Sequence, residues 1–187
     1  MTANPDTSVL ALASGVWNAD PNHSGVFFRI RHLGLANVRG RFDQFEAVLT
    51  VGETLDEVSV KATIDLASVD TNQADRDTHL RGTDFFSVEK HQDMVFESTS
   101  VRQVADDRYE LKGNLTIVGI THEVPLDVRY EGTEVFPADG STRAGFSATG
   151  EINRDDFGID FNMPLGMGRV ALSQKVLIEL DFQFVAP

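Results

Sequence analysis

Hydrophobic residues occupy every second position in several long segments of the chain. The clearest series lie at residues 58–66, 111–117, 124–130, 146–152 and 178–184, and the positions between them are mostly polar. A period of two is typical of strands that bury one face and expose the other. The pattern therefore predicts a chain of antiparallel hairpins.

Further strands are predicted at the N-terminal side of this series. Turn-forming residues at 20–25 separate a strand over residues 15–20 from a second strand that begins at Val26. The end of this second strand, residues 32–36, resembles a short helical turn. A change of hydrophobic phase after Gly40 predicts a β-bulge.

Two segments depart from the strand pattern. Residues 71–82 begin with residues that cap helices, carry early acidic residues and end at Gly82, which predicts one short exposed helix. Residues 154–173 are predicted to form a long irregular loop, and long loops in compact domains are often functional. A loose start is expected up to about Thr7.

About eight long strands with one short inserted helix predict an all-β protein, an extended eight-stranded antiparallel β-barrel. We expect a single domain over residues 1–187, with an ordered core from about residue 8, because barrels commonly enclose chains of this length. Such a barrel has room for side chains or for one small ligand. The small inward-facing residues Ala62, Gly113, Ala148 and Gly150 either interlock with large neighbours or leave space for a slender apolar ligand.

Charge and composition limit the partners. Sixteen Lys and Arg residues against 29 Asp and Glu residues give a formal net charge of -13, which disfavours nucleic acid and anionic membrane as partners. No apolar run approaches the roughly 18 residues of a membrane-spanning helix, so stable membrane insertion is not expected. The chain has no cysteine, which excludes disulfide and thiol chemistry.

The N-terminal sequence does not fit a secretory signal. Such a signal needs a basic start and an apolar stretch of about 7 to 15 residues. Here the first basic residue is Arg29, and the apolar run at residues 9–13 is short. We therefore expect a cytoplasmic protein.

The sequence contains no motif that predicts catalysis or metal binding. Residues 145–149 lack the final glycine of a nucleophile elbow, and none of the five histidines pairs with another at metal-ligand spacing. We expect no catalytic residue, no metal and no cofactor. An enzyme acting on a bound lipid would need a polar cluster inside the barrel, such as His32 with Asp20 or Glu97.

Arginines near one end of the predicted barrel have two interpretations. Arg76 and Arg81 lie on or beside the predicted helix, and Arg39 and Arg41 flank the predicted bulge. They either bind a phosphate head group through forked hydrogen bonds or pair with neighbouring acidic residues.

Seven short motifs occur in order along nearly the whole chain. They are WNADPNHS at 17–24, FRIRH at 28–32, VRGRF at 38–42, LRGTDFF at 80–86, FES at 96–98, KGNLTIVGIT at 112–121 and RDDFG at 154–158. With this ordered set, the chain resembles the YceI family of lipid-binding proteins.

The resemblance implies an extended lipocalin-like barrel that encloses a long polyisoprenoid or a similar apolar chain, with the helix near one end. Many members of the family are secreted or periplasmic, so the expected cytoplasmic location is a departure. A cytoplasmic carrier or store for a lipid or an isoprenoid quinone remains open.

We therefore predict non-catalytic binding, transport or storage of a long apolar lipid: a polyisoprenoid, an isoprenoid quinone or a fatty-acid-like chain. The alternatives are a stress-response or interaction protein with a filled core, and a lipid-modifying enzyme. A homodimer is compatible with the sequence.

The predicted ligand-binding residues combine inward-facing strand positions with residues near the helix and the long loop. They are Phe28, Ile30, His32, Phe42, Phe45, Ala62, Ile64, Arg81, Phe85, Phe96, Leu115, Ile117, Phe146, Ala148, Phe161 and Phe182. In the long loop, apolar residues either form an entrance flap or plug one end of the barrel. These residues are Phe157, Phe161, Met163, Leu165 and Met167.

Overall fold

Strands make up most of the computed structural model, which describes Leu10 and residues 12–187. The strands are β1 (Gly15–Ala19), β2 (Gly25–His32), β3 (Ala36–Phe42), β4 (Phe45–Val51), β5 (Ser59–Asp65), β6 (Val69–Asp70), β7 (Asp93–Ala105), β8 (Arg108–Ile117), β9 (Ile120–Val135), β10 (Thr142–Asn153), β11 (Pro164–Gly166), β12 (Arg169–Val170) and β13 (Leu172–Val185). One α-helix, α1, spans Ala74–Arg81, and short 3-10 turns lie at Pro21–His23, Leu55–Glu57, Leu66–Ser68 and Arg154–Phe157. The loose start expected for residues 1–7 lies outside the described residues.

Eight of the strands form a closed antiparallel barrel, as predicted. Around the ring they follow the order β1, β4, β5, β7, β8, β9, β10 and β13, and β13 pairs again with β1. The closing pairs are Asn18 with Val185 and Ala19 with Phe184. Closure leaves no unpaired edge along this ring.

Three neighbouring strands of the barrel are interrupted at the same level. β1 and β2 both pair with β13, so they form one long strand that is broken at residues 20–24. β4 pairs with β1 while β3 pairs with β2, and β6 pairs with β3 beyond the end of β5. Beyond the breaks, β2, β3 and β6 extend one wall of the barrel.

The helical turn predicted at residues 32–36 is instead the tight turn of a β-hairpin. Leu33 and Gly34 have φ angles of +53° and +72°, which lie in the left-handed region. The Leu35 N–H donates to the carbonyl of His32 over 3.0 Å. A chain in this conformation reverses direction between β2 and β3, so a right-handed helical turn cannot form there.

The change of hydrophobic phase after Gly40 marks a strand break, and the prediction of a bulge was wrong. Phe42 ends β3 and lies opposite Val26 of β2. Phe45 begins β4 and lies opposite Ile64 of β5. The two phenylalanines belong to strands with different partners, which a hydrophobic pattern alone does not distinguish from a bulge.

The segment predicted as an irregular loop, residues 154–173, contains local structure. It starts with the 3-10 turn Arg154–Phe157 and includes the small hairpin formed by β11 and β12. Its tip consists of Gly166, Met167 and Gly168, all with positive φ angles.

The predicted helix is confirmed and corresponds to α1. It covers the end of the wall formed by β2, β3 and β6. The carboxylate of the buried Asp77 accepts hydrogen bonds from the backbone N–H and the hydroxyl of Thr71, over 2.9 and 2.5 Å. Arg81 donates to the carbonyls of Ala67 and Val69, over 2.7 and 2.9 Å, which ties the end of the helix to β6. Among the described residues, no helix is long and apolar enough to cross a membrane.

A charged cluster holds the break between β1 and β2 against β10. The Asp20 carboxylate accepts hydrogen bonds from Arg143 and from the backbone N–H of Asn22, and it contacts His23 Nδ1 over 2.8 Å. The hydrogen bond from His23, together with those from Asn22 and Arg143, lowers the pKa of Asp20 against the opposing effect of burial. The guanidinium of Arg143 also lies 4.2 Å from the ring centre of Phe136.

We expect Asp20→Asn to destabilise the protein at neutral pH and to weaken its acid dependence. Because folding lowers the pKa of Asp20, the carboxylate stabilises the fold above the ordinary pKa of 3.8 and loses this contribution as the pH falls below that value. Loss of the charged hydrogen bonds should cost about 1 kcal/mol near pH 7 and less near pH 3. Urea denaturation at both pH values measures the difference.

The matched control is Asp106→Asn, because Asp106 is exposed and forms no ion pair with any described residue. This variant should match the parent protein at both pH values. If Asp20→Asn lowers the free energy of unfolding by the same amount at both pH values, the stabilising role of the ionised Asp20 carboxylate is contradicted.

Candidate functional site

The interior of the barrel contains a cavity of about 520 Å³ with an almost entirely apolar lining. The inward faces of the barrel strands form its walls. Small-molecule pockets typically measure about 300–1,000 Å³ and are lined mainly by apolar side chains. The interior is therefore not a filled core, which was one of the two possibilities that the sequence left open.

Most of the predicted ligand-binding residues surround this cavity. Those that line it are Phe28, Ile30, His32, Phe42, Ala62, Ile64, Phe85, Phe96, Leu115, Ile117, Phe146, Ala148, Phe161 and Phe182. They come from both halves of the sequence and meet because alternate residues of each strand face the interior.

Phe45 and Arg81 do not line the cavity. The ring of Phe45 packs edge-on against Phe182, with 5.6 Å between the ring centres, and so belongs to the aromatic packing of the wall. The guanidinium of Arg81 is committed to the backbone carbonyls of Ala67 and Val69. The sequence does not show this placement, because the position of a side chain within a layer depends on neighbours that are distant in sequence.

Of the two alternatives for the small inward-facing residues, Gly113 and Gly150 fit interlocking with large neighbours. A Cβ atom at Gly113 would lie 2.2 Å from the ring of Phe96, and one at Gly150 would lie 2.5 Å from Leu126. These glycines allow neighbouring side chains to lie flat on the strands. The two alanines with which they were grouped do line the cavity.

Polar side chains of the cavity lining gather near α1 and the start of β13. They are His32, Thr71, Arg76, His79 and Arg154. We call this end the mouth. At the opposite end, the lining includes Tyr109, and burial raises the pKa of its hydroxyl. The cavity is thus a narrow apolar space with one polar end.

Arg76 supplies a positive charge at the mouth. Its Nε donates to the hydroxyl of Thr71 over 2.7 Å, and its Nη2 donates to the carbonyl of the same residue over 2.8 Å. Thr71 is in turn fixed by the buried Asp77. Arg76 forms no ion pair with a carboxylate of the described residues, so it is the arginine best placed to meet an acidic or polar head group.

His79 orders the aromatic residues beside Arg76. Its Nε2 lies 2.8 Å from Asp84, and its ring contacts Phe85 and Phe161 edge-on at centre distances of 5.1 and 5.0 Å. The histidine is therefore paired with a carboxylate in the loop after α1. This contact also positions two aromatic residues that line the cavity.

Arg154 is a cavity-lining residue that the sequence analysis did not include among the predicted ligand-binding residues. It lines the cavity, yet its side chain is only 4% exposed, and burial lowers its pKa. Its Nη1 donates to the carbonyls of Ile159 and Phe161 over 2.7 and 2.8 Å, and its Nε donates to Ser173 over 3.0 Å. A single side chain therefore folds the loop back over the mouth. The sequence signal was an arginine directly after the alternating strand.

Of the five loop residues considered as an entrance flap or as a plug, three line the cavity. Phe161 and Met163 line it, and Phe157 also lines it but is buried edge-on against His122. Leu165 and Met167 are exposed, and the side chain of Met167 is 97% exposed.

The polar cluster considered for a lipid-modifying enzyme is not assembled. Asp20 pairs with Arg143 and His23, and Glu97 pairs with Lys61 over 2.8 Å. Neither carboxylate meets His32. Within the part of the chain that the structure describes, no three His, Asp or Glu side chains gather in a metal-binding arrangement.

Comparisons with known proteins agree on one family. The chain matches the YceI-like domain over residues 17–184. A UPF0312 protein of Staphylococcus epidermidis is 38% identical over 170 residues, which cover 90% of this chain and 96% of that protein.

Solved structures share the fold. BcnA of Burkholderia cenocepacia has a TM-score of 0.75 at 20% identity, over 90% of this chain and 99% of its own. A polyisoprenoid binding domain from Saccharophagus degradans has a TM-score of 0.65 at 15% identity, over 91% of this chain and 98% of its own.

We expect Arg154→Met to destabilise the fold strongly, because it leaves three backbone carbonyls without their donors. The expected loss is about 2–4 kcal/mol in the free energy of unfolding, measured by urea denaturation. Arg169→Met is the control, since Arg169 lies exposed in the same loop; its effect should stay within about 0.5 kcal/mol. Equal effects of the two substitutions would refute the structural role of Arg154.

Proposed function

The chain belongs to the family of YceI-like domains, and from that membership together with the barrel cavity we propose that it binds one long apolar lipid without catalysing a reaction on it. The proposed ligand is a polyisoprenoid, an isoprenoid quinone or a fatty-acid-like chain. The proposed role is transport or storage of that lipid. The observation that carries the proposal is the apolar cavity of about 520 Å³.

An empty cavity of this size would be energetically costly. Engineered cavities cost about 24 cal/mol per Å³, so 520 Å³ corresponds to a penalty on the order of 10 kcal/mol. This is comparable with the whole net stability of a domain, about 5–15 kcal/mol. Water fills such a space poorly because each molecule needs two to four polar partners, which the lining provides only at the mouth. An apolar ligand removes the penalty.

The shape of the cavity favours a long and slender ligand. Five alternate residues of β13, from Val176 to Phe184, line it, and Leu172 lines it at the start of the strand. At a rise of about 3.3 Å per residue, this stretch of strand is roughly 40 Å long. A volume of about 520 Å³ spread along such a length leaves a narrow channel. Its dimensions match an extended hydrocarbon chain better than a compact ring system.

The division between apolar walls and a polar mouth supports a ligand with a small head group. Burial of the tail contributes about 25 cal/mol per Å² of apolar surface, so the walls provide most of the affinity. Arg76 and His32 at the mouth provide the donors for a head group. The structural neighbour from Saccharophagus degradans is called a polyisoprenoid binding domain, which supports the first of the proposed ligand classes.

Native mass spectrometry of the purified protein tests the proposal. We expect a bound prenyl or acyl chain at about one per barrel, identified by organic extraction. If the protein carries no lipid, and binds none after incubation with polyprenyl phosphates and quinones, the proposal is wrong.

Substitutions at the cavity wall sharpen this test. Ala62→Phe and Ala148→Phe place a ring in the channel and should lower ligand occupancy at least about tenfold, because the tail then loses its space. Ala105→Phe at the exposed end of β7 is the control and should bind as the parent does. Thermal unfolding of each variant verifies that it is folded.

A further inference from the structure

Exposed apolar side chains are concentrated around the mouth of the cavity. They lie at the tip of the β2–β3 hairpin and in the segment of β11 and β12, and Leu35 and Met167 are 80% and 97% exposed. We define the mouth surface by Leu33, Leu35, Met163, Leu165, Met167 and Val170. Clusters of exposed apolar residues on globular proteins mark interaction sites.

Backbone contacts hold the two parts of the mouth surface side by side. The Leu33 N–H donates to the carbonyl of Ala171 over 2.7 Å, and the Ala171 N–H donates to the carbonyl of Met163 over 2.9 Å. His32 of β2 lies opposite Leu172 of β13. Because His32, Met163 and Leu172 also line the cavity, the exposed apolar residues lie beside the mouth.

Basic residues outnumber acidic residues in the two segments that carry the mouth surface. Residues 29–42 and 161–178 contain no Asp or Glu, although the chain has 29 acidic residues. Arg31, Arg39 and Arg169 are exposed, and none of them pairs with a carboxylate of the described residues. The other cations of these segments are paired with acidic residues.

We propose that the mouth surface docks on an anionic phospholipid bilayer, with the cavity opening towards the membrane. Apolar side chains flanked by basic residues are the combination that binds a membrane interface. The formal net charge of -13 opposes binding to such a membrane through the acidic parts of the surface and so favours this orientation. The unpaired arginines near the mouth therefore favour an anionic membrane as a partner, although the net charge of the whole chain disfavours one. This inference goes beyond lipid binding in the cavity, and the residues that test it, Arg31, Leu35, Met167 and Arg169, do not line the cavity.

The same residues argue against a second copy of the chain as the occupant. In a two-fold dimer built on this surface, the surface would meet the same surface of the other copy and bring two sets of Arg31, Arg39 and Arg169 into one interface. Like charges across an interface oppose association, whereas an anionic bilayer neutralises all three arginines.

Vesicle flotation tests the docking surface. The probes are vesicles of phosphatidylcholine alone and vesicles in which about one-third of the lipid is phosphatidylglycerol. We expect the protein to float with the anionic vesicles and to bind neutral vesicles at least about tenfold more weakly, because each arginine near the surface contributes about fivefold in affinity.

Two variants separate the apolar and the charged contributions. Leu35→Ser with Met167→Ser should reduce binding to anionic vesicles at least about tenfold. Arg31→Gln with Arg169→Gln should reduce it by a similar factor and leave the weak binding to neutral vesicles unchanged.

The matched control is Val104→Ser with Val135→Ser. Both valines are exposed, Val104 near the C-terminal end of β7 and Val135 at the C-terminal end of β9, and neither belongs to the mouth surface. Their replacement should leave flotation unchanged.

Three results would overturn the proposal: no flotation with anionic vesicles, an equal loss in the valine control, or a dimer that requires Leu35 and Met167 in place of vesicle binding. Native mass spectrometry of the same variants reports cavity occupancy independently. Lipid bound in the cavity without flotation would refute the docking surface alone, whereas flotation without any cavity ligand would refute only the proposed function.

Discussion

Closure of an eight-stranded ring is the constraint on which the rest of the molecule depends. The two pairs that join β1 to β13 complete a hydrogen-bonded ring, and the number and tilt of the strands then set its width. Inward-facing alanines at positions 62 and 148 do not fill that width. A cavity is therefore a consequence of the backbone geometry, and it persists because the hydrogen bonds of the ring prevent the walls from collapsing inward.

The polar end of the cavity depends on backbone groups that the sheet leaves unpaired. Where β6 ends, the helix α1 takes over the wall, and its Arg81 and Asp77 satisfy the exposed backbone of β6 and Thr71. Arg154 does the same for the loop before β13. Of these three residues only Arg154 also lines the cavity, so one side chain both closes this end and brings a positive charge to the cavity wall.

The barrel and most of its lining were predictable from sequence because strand periodicity is a local property. Phe28, Phe96 and Leu115 face inward and their sequence neighbours face outward, because successive side chains of a strand point to opposite faces of the sheet. Phe45 was misplaced because its depth depends on the ring of Phe182, which lies far away in sequence. Arg154 was missed because an arginine is ordinarily exposed, and only the folded loop supplies the three carbonyls that bury it.

The cavity also determines how the protein responds to compression. An unfolded chain has no internal void, so unfolding the ligand-free barrel eliminates its cavity of about 520 Å³ and lowers the volume of the system. Hydrostatic pressure favours the state of smaller volume and so acts against the empty barrel. A bound hydrocarbon chain fills the void and so removes most of this volume difference. The ligand-free and the ligand-bound barrel therefore differ in their resistance to unfolding by pressure, and this difference reports whether the channel is occupied.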